Sequence, residues 1–66
     1  MTITVNGEPR ELPEGTTLAA LVERLGLAAA ACAAEVNREL VPKRLHAERA
    51  LRSDDRVELV SLVNGG

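Results

Sequence analysis

Met1, Ile3 and Val5 alternate with Thr2 and Thr4, and the run breaks at Asn6-Gly7. Strict alternation puts the apolar residues on one face of a strand. Asn-Gly readily takes positive φ at both central positions of a two-residue turn, so the chain reverses into a hairpin. Glu8 to Leu12 reads as the return strand. Pro9 has no N–H to give to a ladder, which puts that strand at a sheet edge. A two-stranded hairpin alone is marginal in water. The rest of the 66 residues must therefore cover its apolar face. They must do so in one small domain, which buries only about 60% of its unfolded surface.

The next segment supplies a cover. Pro13-Glu14-Gly15 ends the strand, and Thr16 or Thr17 caps a helix. Leu18, Leu21, Val22 and Leu25 fall at i, i+3, i+4 and i+7, which is one helical face. Glu23 and Arg24 lie off that face. Gly26 sits where a left-handed residue closes a helix. No Glu or Gln stands at the third helical position, which holds Ala19 or Ala20, so the start is less sharply marked than the end.

Ala28 to Ala34 carries two signals. Alanine favours helix, whereas Cys32, Ala34 and Val36 alternating with Glu35 and Asn37 fit a short strand. Leu40-Val41 is extended, because Pro42 pushes the residue before it out of the helical region. Lys43 to Leu51 is charged and irregular, with room for one helical turn and with Leu45 and Leu51 as anchors. Ser53-Asp54-Asp55 is a turn, as short polar side chains bond nearby backbone. Arg56 to Leu62 is the last strand, in which Val57 and Leu59 alternate with Arg56 and Glu58. The alternation fails at Val60, Ser61 and Leu62, so Val60 and Leu62 belong either to the core edge or to a partner-docking patch. Docking is the preferred reading, since exposed apolar clusters mark partner sites. The order of elements predicts an α+β chain, a sheet of four to five strands with one main helix packed across it.

Composition excludes several functions. Phe, Tyr and Trp are absent and the net charge is −2. The core must be aliphatic, and neither base stacking nor a basic phosphate-binding surface is available, so no nucleic acid is expected as a partner. Cys32 is the single cysteine; it cannot form an internal disulfide and is read as a small buried hydrophobe, not as a reactive thiol. The N-terminus shows no signal peptide. Leu25 to Ala34 is too short to span a bilayer. A cytoplasmic protein without a membrane partner is expected. His46 has no Cys, Asp or second His at ligand spacing and reads as a surface or half-buried side chain. Asp54-Asp55 reads as turn chemistry rather than acid catalysis or Mg²⁺ binding. No catalytic residue, metal site or bound cofactor is expected.

The sequence closes on Gly65-Gly66. Glycine makes up roughly 7% of average sequence, so a chance pair there arises on the order of once in 200 chains. Two residues without a Cβ can be threaded extended into a narrow active site, with nothing crowding the carboxyl carbon. Such a tail has the form of a substrate that other enzymes handle.

Four pieces in order, across essentially the whole chain, resemble the ThiS sulfur-carrier family. They are Val5-Asn6-Gly7, Val36-Asn37-Arg38-Glu39-Leu40-Val41-Pro42-Lys43-Arg44, Asp54-Asp55-Arg56-Val57-Glu58-Leu59-Val60, and Gly65-Gly66. The Ala-Cys-Ala-Ala stretch departs from the branched residues more usual there. The resemblance implies a ubiquitin-like β-grasp fold, a strand near Cys32 to Val36, a domain over residues 1–62, and a flexible diglycine tail over 63–66. It further implies that Gly66 is the reacting group. An adenylating enzyme of the ThiF/MoeB kind would spend ATP to activate its carboxylate. A cysteine desulfurase or rhodanese-type donor would supply sulfur, and the thiocarboxylate would pass it to thiazole synthase for the thiazole of thiamin. Val63, Asn64 and Gly65 would reach into the partner's site. The chain would itself be no enzyme. Alternatives are a carrier serving molybdopterin or another metabolite, a ubiquitin-like protein modifier, or a binding module with an inert tail.

Overall fold

The computed structural model describes residues 1–61, and of Ala29 only the backbone. The elements are β1 (Thr2–Val5), β2 (Glu8–Glu11), α1 (Leu18–Arg24), β3 (Cys32–Val36), β4 (Glu39–Val41) and β5 (Arg56–Ser61), with 3₁₀ turns at Ala29–Ala31 and Lys43–Leu45. They form one five-stranded mixed sheet in the order β2-β1-β5-β3-β4. β1 and β5 are parallel, and the other pairs are antiparallel. The last strand in sequence thus lies at the centre of the sheet.

The first hairpin turns as its sequence requires. Asn6 and Gly7 have φ of 50° and 84°, both left-handed, and β2 is an edge strand, where Pro9 leaves no ladder bond unmade. β2 stops at Glu11, one residue earlier than the expected strand, while Leu12 remains buried with its N–H bonded to the Met1 carbonyl at 2.9 Å.

The helix presents Leu18, Leu21 and Val22 to the sheet, all fully buried. Leu25 is half-buried at the helix end. The residues facing the helix alternate along the strands: Ile3 and Val5, then Cys32, Ala34 and Val36, then Val57 and Leu59. Cys32 and Ala34, the small residues of the unusual Ala-Cys-Ala-Ala stretch, are as deeply buried as their branched neighbours.

Both helix ends have capping hydrogen bonds. Thr17 is the N-cap, and its hydroxyl accepts from the Ala20 N–H at 3.1 Å. The preceding free N–H groups reach distant backbone: Leu18 to the Arg49 carbonyl at 2.9 Å and Ala19 to the His46 carbonyl at 3.0 Å. The irregular segment after β4 is therefore a polar cap for α1, which makes a capping-box carboxylate unnecessary. At the other end, Gly26 has φ of 75° and donates to the Glu23 carbonyl, and Leu27 donates to Val22. This 5→2 and 6→1 pair is a Schellman motif.

The alanine run resolves into both of its signals. Ala29–Ala31 makes one 3₁₀ turn, and the strand begins at Cys32. A second left-handed turn follows at Asn37 and Arg38, with φ of 53° and 72°. Asn37 does more than turn the chain. Its Nδ2 donates to Asp55 Oδ1 at 3.0 Å, and its Oδ1 accepts from the Arg56 N–H at 2.9 Å. The side chain so ties the β3–β4 turn to the first residue of β5. Asn37→Gly keeps the left-handed backbone and removes both bonds. A hydrogen bond to a charged group contributes about 1.5–3 kcal/mol, so the urea midpoint should fall by a corresponding amount. An unchanged midpoint would show that the amide is dispensable.

Candidate functional site

The site is built around the end of β5. Inward positions Val57 and Leu59 anchor the strand, so Arg56, Glu58 and Val60 point to the outer face of the sheet. Val60 is 58% exposed. Val60 is therefore no part of the buried core. Leu62, Val63, Asn64, Gly65 and Gly66 lie outside the described residues, and so does the expected 63–66 tail.

Strand register adds residues that the linear pattern did not connect. Val60 faces Ala33 on β3, and Glu35 faces both Glu58 on β5 and Leu40 on β4. Leu40 is 68% exposed. Together these side chains line a shallow groove of about 250 Å³. The outer face therefore carries an apolar patch of Leu40, Ala33 and Val60 beside two carboxylates. Like charges directly opposite across antiparallel strands weaken the pair. Sequence reasoning assigned Leu40 only an extended backbone. The available signal was an apolar residue placed out of phase with the buried Val36 and Val41.

Cys32 is 1% exposed, and burial pushes its thiol up, with Lys43 acting weakly in the opposite sense. A protonated, enclosed thiol is not a nucleophile. His46 corrects the expectation of a surface or half-buried side chain: it is 4% exposed, with Nε2 2.9 Å from the Val41 carbonyl. The ring closes the space between β4 and the helix cap, where its own carbonyl receives the Ala19 N–H. Asp54 has φ of 72°, and Asp55 is buried, accepting from the Arg52 N–H at 2.8 Å and from Asn37. Both belong to the turn before β5. Among the described residues, no group of three or more His, Cys, Asp or Glu is placed to hold a metal ion. No helix among them is long and apolar enough to cross a membrane.

These side chains contain no nucleophile paired with a base. What the arrangement offers is a central strand whose described end, at Ser61, lies beside an exposed apolar patch.

The sequence model of the ThiS family matches residues 3–66. A sulfur carrier protein ThiS from Thermus thermophilus is 39% identical over 64 residues, covering 97% of this chain and 98% of that one. A thiazole synthase from Paramagnetospirillum magneticum is 36% identical over 66 residues, and the chain spans only 20% of its length. The crystal structure of the thiamine biosynthesis protein ThiS from Geobacter metallireducens superposes with a TM-score of 0.84 at 28% identity, each chain covered completely.

Proposed function

The chain belongs to the ThiS family, and from that premise we propose that it is a sulfur carrier of thiamin biosynthesis whose reacting group is the Gly66 carboxylate. A carboxylate is a poor electrophile until one oxygen becomes a leaving group. Transfer of AMP from ATP, with loss of pyrophosphate, does this. The terminal sulfur of a persulfide donor then displaces AMP to give an acyl disulfide, and a second thiol on a partner attacks the donor sulfur, forming a disulfide there and releasing the thiocarboxylate on Gly66. The ATP is spent by an adenylating enzyme of the ThiF/MoeB kind, and the carrier holds no cofactor of its own. A cysteine desulfurase or rhodanese-type protein supplies the sulfur in the cytoplasm, and thiazole synthase receives it. The similarity of the whole chain to one-fifth of a thiazole synthase supports that last partner.

The observation that carries this reading is the family match running through Gly66. The catalysts reside in the partners, and this chain contributes recognition and reach. Incubation with ATP, the adenylating enzyme and a sulfur donor tests the proposal by mass spectrometry. A carrier exchanges one oxygen for sulfur at Gly66. A protein modifier forms isopeptides, and an inert module does neither.

Docking belongs to the outer face in this reading, with Val60 central and Leu62 following it. Val60→Asp places a charge in a contact that must lose its water. Because Val60 is exposed, the melting temperature should stay near that of the parent chain. The Kd for the adenylating enzyme should rise at least about tenfold, or about 1.4 kcal/mol. Unchanged affinity by calorimetry would move the docking surface elsewhere.

A further inference from the structure

β5 is held unequally along its two edges. On the β3 side the ladder continues to its last residue, Ser61 opposite Cys32. On the β1 side the register covers only Arg56 and Val57, because β1 ends at Val5 and the chain turns away. Leu59 is buried, and its backbone groups need partners. They find one side chain. The Leu59 N–H donates to Asn6 Oδ1 at 2.8 Å, and Asn6 Nδ2 donates to the Leu59 carbonyl at 3.2 Å. The Asn6 N–H itself donates to the Val57 carbonyl at 2.8 Å. The amide thus acts as a further strand residue where the strand has stopped.

We infer that Asn6 is a positioning residue for activation of the carrier: its amide holds the part of β5 that presents Val60. This rests on the sulfur-carrier reading and extends it to a residue far from Gly66 in sequence. Leu59 directly precedes Val60, so the clamp fixes the backbone from which the docking side chain projects. A misplacement of about 1 Å can cost on the order of 100-fold in rate. Asn37 forms a comparable clamp at the other end of β5, on Arg56, and serves as the natural control.

The test compares Asn6→Gly with Asn37→Gly. Both substitutions keep a left-handed turn residue and delete an amide that holds β5. Each variant is assayed for ATP–pyrophosphate exchange with the ThiF-type adenylating enzyme, about 20 °C below its own melting midpoint. Amide hydrogen exchange at Leu59 is followed by NMR. Asn6→Gly should lower kcat/KM for the carrier roughly tenfold and speed exchange at Leu59. Asn37→Gly should stay within about threefold of the parent kcat/KM. Parent-like kcat/KM for Asn6→Gly, or equal losses in the two variants, would overturn the positioning role and leave the carrier reading standing. No exchange activity with the parent chain would overturn the carrier reading, and this inference with it.

Discussion

A chain ending at Gly65 is expected to lose at least about 100-fold in ATP–pyrophosphate exchange with the adenylating enzyme while melting at the parent temperature. Removing Gly66 draws the carboxylate back by up to about 3.6 Å of extended chain. Attack on the α-phosphorus of ATP requires the reacting atoms near contact, and about 1 Å of error costs on the order of 100-fold. The effect should fall on kcat rather than on KM, because the docking face around Val60 remains intact. Gly66→Ala should do less harm. It keeps the length of the tail and adds only a Cβ beside the carboxyl carbon. Stability should not respond to either change, since glycine has no apolar side chain to bury. Exchange assays beside melting curves separate the two effects. Full activity of the shortened chain would sink the carrier reading, because no other carboxylate in the sequence is preceded by a diglycine.

Leu21→Ala should have the largest effect on stability. Leu21 is fully buried in α1, between Leu18 and Val22 on the face that covers the sheet. Loss of its side chain removes apolar burial and leaves a cavity, at a cost of roughly 2–5 kcal/mol. Domains of ordinary size have about 5–15 kcal/mol in total, and one of this length lies toward the lower end. The variant should be largely unfolded or close to it at room temperature. Thermal unfolding followed by circular dichroism measures this directly, and an unchanged midpoint would remove Leu21 from the core.

The two predictions draw on different ends of the chain's legibility. Leu21 was readable because helical spacing is local: four apolar residues within two turns define a face. Gly66 drew attention because a diglycine needs no partner to be recognised. The exposed apolar patch was only half readable. Val60 broke the alternation of its strand and so drew attention, but Leu40 lay in a three-residue strand too short to show a period.

Sequence alone determined whatever depends on residues within one turn of one another. Asn6-Gly7 determined the first hairpin, Pro9 the edge position of β2 and Gly26 the C-terminal end of α1, and the inward positions of β5 followed from alternation. In each case the deciding physics is a φ angle, a missing N–H or a side-chain period, all contained in the local chain. Tertiary structure alone decided which strand stands at the centre and what each polar group bonds. Asn6 meets Leu59 across 53 positions, Asn37 meets Asp55, and the free N–H groups of α1 meet carbonyls of Arg49 and His46. His46 is buried because its ring has a backbone carbonyl to bond, and Glu35 faces Glu58 because β3 and β5 are neighbours. Such pairings are selected by closing the whole sheet over one helix. They leave no period in the sequence, because each amide or carboxylate is satisfied by whatever backbone the closed fold brings beside it.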